Sequence, residues 1–228
     1  MQAALVVIIG IVLSGPLAVL LVSLVHPQPA WSGAARFADE LHPIQLLPYA
    51  GGFLLVGGFV ALIAGLHTLA PSTHRARATF AIALAGTFAA LLVFDYVLQT
   101  TFVPALARPY RPENDALIAA LSMANPRSLG WALEMWGYAV AGVATWAIAP
   151  VFRDAGIERA AAAMYGLNGV ISVAGGVAIA LAPGWVLTVP GLIAYVGWNV
   201  IVVIMAIFTV IAMRRRARLV QSGEWQAF

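Results

Sequence analysis

Six long apolar stretches, separated by short polar segments, make up most of this 228-residue chain. A helix that crosses a bilayer needs about 20 consecutive, mostly apolar residues, and every stretch reaches that length. The stretches lie at about residues 3–25, 46–69, 78–103, 129–152, 160–183 and 187–213. The segments between them are too short for a soluble domain. The sequence therefore predicts an all-α integral membrane protein, with six transmembrane helices in one compact bundle over residues 1–213.

Composition supports a lipid-facing surface and excludes several kinds of chemistry. Only 9% of the residues are charged, against roughly 25% in an ordinary soluble domain, so most of the surface must face lipid. The chain has no cysteine and no lysine, which excludes thiolate metal sites, cysteine nucleophiles and Schiff bases on lysine. The 4 histidines lack metal-ligand spacing. We therefore expect no metal and no other cofactor, and we assign no catalytic residue.

The distribution of the 12 arginines predicts the orientation of the bundle. Most of them lie on the side that holds both termini, where Arg214, Arg215, Arg216 and Arg218 directly follow the last apolar stretch. By the positive-inside rule, both termini are cytoplasmic and residues 214–228 form a basic cytoplasmic tail. Because a stop-transfer position explains the basic run, no nucleic-acid partner is expected. The alanine-rich, lysine-free composition indicates a bacterial protein, so the predicted location is the inner (plasma) membrane.

Two acidic residues, Asp95 and Glu134, lie inside predicted spans. An ionisable side chain there costs about 2.5–3.5 kcal/mol on insertion scales, so it should face the bundle interior or a wet cavity. Asp95 follows Arg77 by 18 residues, and Glu134 precedes Arg153 by 19. With the fixed rise of a helix, these spacings place both acids in the outer third of the bilayer. A neutral amide would hold helices together at lower cost, so the acids favour a functional role.

Each acid has a polar neighbour one helical turn away, and two other spans carry a similar pair. Residues four apart on a helix share a face. The pairs are Gln45 and Tyr49, Asp95 and Gln99, Glu134 and Tyr138, and Tyr195 and Asn199. If the four faces converge, they form an outward-facing polar pocket with two carboxyl groups in its wall. These eight residues are the predicted ligand-binding residues.

Small residues that recur at every fourth position predict close packing between helices. Such stripes let helix backbones approach one another, which is a main packing device in lipid. Three stripes occur: Gly57, Ala61 and Gly65; Ala81, Ala85 and Ala89; and Ser172, Gly176 and Ala180.

Two further features concern the ends of the spans. Pro16 should kink the first span, which we expect to be retained rather than cleaved as a signal peptide, because it lacks a basic start. The segment 104–128 should contain a short surface helix that begins at Asn114 or Asp115. This helix would either cover the pocket or simply connect two spans.

Three functions remain open from the sequence. The first is a protein of the lipid bilayer that binds or transports a small ligand, cationic, amphipathic or proton-coupled, through the polar pocket. The second is a structural or regulatory subunit that packs against a membrane-protein partner or a second copy of itself. The third is a membrane enzyme that acts on a lipid or isoprenoid with the carboxyl groups as acid and base. No enzyme motif decides between them.

Overall fold

The computed structural model describes residues 1–152 and 156–222, and every regular element in them is helical. In chain order the helices are α1 (Gln2–Ser14), α2 (Pro16–Val25), α3 (Ala34–Glu40), α4 (Leu47–Thr68), α5 (Arg75–Val97), α6 (Val103–Ala107), α7 (Asp115–Leu121), α8 (Leu129–Ile148), α9 (Ile157–Leu181) and α10 (Val189–Gln221). A π-helical turn, Leu98–Phe102, joins α5 to α6. The prediction of an all-helical chain is confirmed for these residues. Arg153 and the last six residues of the predicted tail lie outside them.

Five helical segments are long and apolar enough to cross a membrane. They are Gln2–Val25, Pro43–Thr68, Ser72–Ala107, Ile157–Leu181 and Val189–Leu219. The sixth predicted span corresponds to α8, which is 20 residues long but is not among the five. Its apolarity is reduced by Glu134, by Tyr138 and by three tryptophans. The structure thus supports a multi-pass membrane protein with five spans of this kind.

The long helices form a closed ring that follows the order of the chain. α1 packs against α4, α4 against α5, α5 against α8, α8 against α9 and α9 against α10, and α10 returns to α1. The Sδ atom of Met1 lies 3.3 Å from the Nε atom of Arg214, so α1 and α10 run antiparallel. We call the end of the ring that holds Met1, Arg75 and Arg214 the arginine end.

The opposite end is covered by a small cap, which consists of α3, α6, α7 and their connecting loops. Phe37, Val103 and Ile118 form the centre of its own apolar core. Arg108 donates a hydrogen bond to the carbonyl oxygen of Leu41 and so joins two cap loops. The predicted short helix is confirmed as α7, although the cap is larger than this one helix.

Close backbone packing joins α1 to α4 through a face different from the predicted one. A Cβ atom on Gly10 would overlap the backbone of Leu55, and one on Gly58 would lie 2.9 Å from the backbone nitrogen of Val7. Gly57 and Gly65, by contrast, face open space. The prediction that the stripe containing Gly57 and Gly65 packs within the bundle is therefore wrong, because the buried face of α4 is rotated by one residue.

The other two predicted stripes are largely buried. Ala81 and Ala85 of α5 are buried. On α9, Ser172 and Gly176 are buried, and a Cβ atom on Gly176 would lie 2.8 Å from the Cβ atom of Ala139 on α8. Only Ala180, near the end of α9, is exposed. Small residues therefore allow α9 to approach α8 closely.

The first span is broken at Gly15, as the position of Pro16 predicts. Proline has no amide hydrogen and its ring clashes with the carbonyl group four residues earlier in a helix, so the helix ends at Ser14 and restarts at Pro16. α1 continues the ring on the arginine side of this break. α2 packs against α4 and against the Pro43–Leu46 turn, and most of its side chains are exposed.

Candidate functional site

Asp95 and Glu134 lie on neighbouring helices of the ring, α5 and α8. Asp95 is fully buried, and Glu134 is half-buried. Gly130, one turn before Glu134 on α8, packs against Asp95, since a Cβ atom there would lie 3.0 Å from Oδ1 of Asp95. Tyr96, the residue after Asp95, is hydrogen-bonded to Glu134. The hydrogen bonds found for them within the described residues come from neutral groups, the amide of Gln99 and the hydroxyl of Tyr96. The two acids therefore occupy one region of the bundle interior.

Tyr96 connects the residues of this region. Its hydroxyl group donates a hydrogen bond of 3.3 Å to Oε1 of Glu134 and lies 3.3 Å from the hydroxyl oxygen of Tyr138. Gly52 of α4 leaves the space for its ring, since a Cβ atom there would lie 2.5 Å from Cε2 of Tyr96. The sequence analysis missed Tyr96. A buried tyrosine hydroxyl generally needs a partner, and its place beside Asp95 was the available signal.

Aromatic rings extend from Tyr96 to both sides of the bundle interior. The rings of Tyr49 and Tyr96 are 5.7 Å apart, and those of Tyr138 and Trp198 are 4.7 Å apart in an edge-to-face arrangement. Phe88 packs against Tyr138 at 5.5 Å. We call Tyr49, Tyr96, Glu134, Tyr138 and Trp198 the aromatic–carboxylate cluster. It brings together side chains of α4, α5, α8 and α10.

Gln99 connects Asp95 to the cap. Nε2 of Gln99 donates to Oδ1 of Asp95 at 3.1 Å and to the carbonyl oxygen of Leu121 at 2.9 Å. Its Oε1 atom accepts a hydrogen bond of 3.0 Å from the backbone of Met123. Gln99 is therefore occupied in fastening the cap to the bundle. The Oδ2 atom of Asp95 is buried and has no partner in the described part of the chain.

The predicted pair on α10 lies at the edge of the cluster. Nδ2 of Asn199 donates to the carbonyl oxygen of Tyr195 at 2.8 Å, within the helix. The Oδ1 atom of Asn199 is buried without a partner among the described residues and faces Gly15, where a Cβ atom would lie 2.5 Å from it. Tyr195 is 41% exposed, and its hydroxyl oxygen would lie 3.2 Å from the same Cβ atom.

Gln45 is separated from the other predicted residues. It lies in the Pro43–Leu46 turn before α4, so its spacing from Tyr49 does not place the two on one helical face. Oε1 of Gln45 accepts from the backbone of His42 at 3.0 Å, and its Nε2 donates to the carbonyl oxygen of Glu40 at 3.3 Å. Of this pair, Tyr49 alone has a described contact with the cluster.

A second set of buried polar groups continues from Trp198 toward the arginine end. Nε1 of Trp198 donates to Oδ1 of Asn168 at 3.1 Å and to Oγ of Ser172 at 3.2 Å. Nδ2 of Asn168 in turn donates to Oγ1 of Thr145 at 3.3 Å. These contacts help to fix the position of the Trp198 ring, because its nitrogen is bonded to two side chains of α9. The sequence analysis did not identify this set.

A buried ion pair closes the bundle at the arginine end. The guanidinium group of Arg216 donates to both carboxylate oxygens of Glu158, at 2.8 and 2.6 Å, and to the carbonyl oxygen of Val151 at 2.7 Å. The pair joins α10 to the beginning of α9. It lies far along both helices from the aromatic–carboxylate cluster and therefore has a structural role.

The chemistry of the cluster suits a cation. Aromatic faces attract cations by about 0.5–2 kcal/mol, depending on desolvation, and a carboxyl group adds a full negative charge when it is ionised. Within residues 1–152 and 156–222, no three histidine, aspartate or glutamate side chains lie together as a metal site would need. Comparison of the chain with family models, with curated proteins and with solved structures finds no match in any of the three.

Proposed function

We propose that the protein binds and transports a small organic cation through the aromatic–carboxylate cluster. The observation that carries this proposal is the hydrogen bond from Tyr96 to Glu134, which holds a carboxyl group among aromatic rings inside a membrane bundle. Four rings and a carboxyl group at one place are the chemistry by which proteins recognise alkylammonium groups. The buried carboxyl group of Asp95 lies in the same region and would add negative potential in its ionised form. Proton coupling through the two acids is part of the same proposal.

We propose six membrane spans: the five apolar segments described above and, in addition, α8. α8 lies in the ring between α5 and α9, which are both apolar enough to cross a membrane. Its lower apolarity is explained by Glu134 and Tyr138, which belong to the cluster rather than to the lipid-facing surface. Six spans place both termini at the arginine end, and the positive-inside rule favours a cytoplasmic position for that end in a bacterial inner membrane.

Single cysteines test this topology, because the chain has none of its own. Ala116→Cys lies on the exposed surface of the cap, and Ser222→Cys lies beyond α10 at the arginine end. In intact spheroplasts, a membrane-impermeant maleimide should label Ala116→Cys and should reach Ser222→Cys only after permeabilisation. Labelling of both variants, or of Ser222→Cys alone, before permeabilisation would contradict the proposed orientation.

The cation proposal is tested by binding measurements on the purified protein in lipid nanodiscs. The probe is dodecyltrimethylammonium, used below its critical micelle concentration and followed by tryptophan fluorescence, since Trp198 belongs to the cluster. Glu134→Gln removes the ionisable carboxyl group and should lower the affinity by about tenfold or more. A tenfold change corresponds to about 1.4 kcal/mol of binding free energy. The matched control is Glu113→Gln, which changes an exposed acid of the cap. Equal affinities for wild type and Glu134→Gln would contradict the proposal.

A second function is favoured by one observation on α4. Gly57, Ala61 and Gly65 form an exposed stripe of small residues, and such a stripe can receive a helix of another membrane protein or of a second copy. A subunit role would require a stoichiometric partner in native mass spectrometry of the protein in mild detergent. Gly57→Leu with Gly65→Leu should then remove the partner and leave cation binding unchanged.

A further inference from the structure

We propose that the ligand enters the aromatic–carboxylate cluster from the lipid of the cap-side leaflet, through an opening between α2 and α10. The ligand class is then an amphipathic cation with an ammonium-type head and an apolar tail. This inference rests on the proposed cation-binding function. It adds the route of entry and, with it, the need for a tail.

The direct route from water is closed by the cap. Gln99 is bonded to the backbone of Leu121 and Met123, and the indole nitrogen of Trp131 donates to the carbonyl oxygen of Met123 at 2.8 Å. A Cβ atom on Gly130 would lie 3.0 Å from Oδ1 of Asp95. These contacts bury Asp95 completely. A ligand arriving along the bundle axis would have to displace this whole layer.

The ring is closed by α1 and α10 on the arginine side of Gly15, whereas α2 and the first part of α10 are mostly exposed on the cap side. From Val189 to Gly197 of α10, Gly191 is the single buried residue, whereas a buried residue recurs at about every turn from Asn199 onward. In α2, Ala18 is the single buried residue. α10 therefore packs into the ring from Asn199 onward. Before that residue, α10 and α2 do not bury each other's side chains.

Gly15 marks the inner boundary of this opening. The absence of a side chain at Gly15 lets Asn199 and Tyr195 approach the break between α1 and α2, where a Cβ atom would lie 3.2 Å from the hydroxyl oxygen of Tyr195. On the arginine side of Gly15, α1 and α10 are in contact. On the cap side, exposed apolar residues such as Val19 and Leu192 line the two edges.

Polar groups lie where the opening meets the cluster. Asn199 is 7% exposed, and its buried Oδ1 atom has no partner in the described residues, so it offers an acceptor to an incoming head group. The hydroxyl oxygen of Tyr195 lies beside it, since a Cβ atom on Gly15 would be 2.5 Å from Oδ1 of Asn199 and 3.2 Å from this hydroxyl oxygen. An apolar path that ends at acceptor oxygens, aromatic rings and a carboxyl group complements a cationic head with an apolar tail.

A reversible cross-link between the two edges tests the route. Val19→Cys and Leu192→Cys place thiols on α2 and α10 in a chain that has no other cysteine, and a bis-methanethiosulfonate reagent joins them after folding. The matched control joins Leu5→Cys on α1 to Ile211→Cys on α10. Both positions are exposed and lie on the arginine side of Gly15, where these two helices are in contact. Both double variants are placed in nanodiscs, and association rates are measured by stopped-flow tryptophan fluorescence before and after reduction of the linker.

Two cations with the same head separate the possible outcomes. Dodecyltrimethylammonium should associate about tenfold or more slowly when the Val19–Leu192 link is present, as for a gated site, and reduction should restore its rate. The control link should have no effect, and tetramethylammonium should bind wild type about tenfold or more weakly than the long-chain cation. Unchanged association of the long-chain cation with the linked protein, or equal binding of both cations, would overturn the lipid route while leaving cation binding intact. If neither cation binds wild type, the proposed function fails and the route fails with it.

Discussion

At the residue scale, one hydroxyl group organises the site. Tyr96 contacts Glu134 and Tyr138 at once, although the three residues come from two helices. Because residues four apart share a helical face, the sequence alone predicts that Glu134 and Tyr138 lie together. It could not identify Tyr96, whose contacts cross between helices. It also misplaced Gln45, because α4 begins only at Leu47.

Tyr96→Phe should separate the contribution of the hydroxyl group from that of the aromatic ring. The aromatic packing against Tyr49 and Phe53 is kept, while Glu134 loses its donor, so we expect a loss of about 1 kcal/mol in the free energy of unfolding. Cation affinity should fall less than in Glu134→Gln, since the charge remains. Thermal unfolding in nanodiscs and the fluorescence titration measure the two effects. Tyr110→Phe, an alteration in the cap, is the control, and a larger affinity loss in Tyr96→Phe than in Glu134→Gln would contradict this order.

The cap contains a tyrosine, Tyr110, whose titration reports on its hydrogen bond to Asp115. The hydroxyl group of Tyr110 donates a 2.6 Å hydrogen bond to Asp115, and this bond raises the pKa of Tyr110. Because the folded pKa is raised, the stabilisation is complete below the ordinary pKa of about 10 and is lost as the pH rises through the folded value. Asp115→Asn should move the tyrosinate absorbance transition to lower pH. A transition that stays in place would show that Asp115 does not hold this phenol.

At the element scale, two adjacent glycines on α4 have opposite environments. Gly58 faces the backbone of α1, whereas Gly57 faces open space. A pattern of small residues predicts that a helix has a close-packing face. It does not specify which of two neighbouring glycines lies on it, since one residue corresponds to about 100° of rotation. The break at Pro16 was predictable, because the chemistry of proline acts within a single helix.

The two glycines form a matched pair of substitutions. Gly58→Ala should lower the free energy of unfolding by about 1–3 kcal/mol, because its methyl group would meet the backbone of Val7. Gly57→Ala adds the same group one residue away and should cost nothing. Unfolding of both variants in mild detergent gives the comparison. Equal stabilities would mean that α1 and α4 are farther apart than the structure has them.

At the scale of the whole molecule, the ring is fastened at the arginine end by Arg216 and Glu158. Both residues are less than a tenth exposed, and they come from helices whose approach in space the sequence does not specify. The basic run after the last span predicted an anchor, which accounts for its exposed arginines. It gave no indication that one of them turns inward to a partner on α9.

Removing one member of this pair should destabilise the protein strongly. Arg216→Ala leaves the carboxylate of Glu158 buried and should cost about 3–5 kcal/mol. The exposed pair of Arg36 and Glu40 provides the contrast, because Arg36→Ala should cost at most about 1 kcal/mol. Chemical denaturation of both variants measures the difference. Similar losses in the two variants would show that the buried pair does not secure the ring.

The closure of the ring by its first and last long helices also determines the order in which the protein can be assembled. α4 reaches α1 early in synthesis, whereas α10, which also packs against α1, enters the membrane last. Until then Tyr138 lacks its contact with Trp198, and the interior polar groups face lipid or the insertion machinery. The aromatic–carboxylate cluster is therefore completed only in the final step of biogenesis, and a chain released before α10 is complete lacks the proposed binding site.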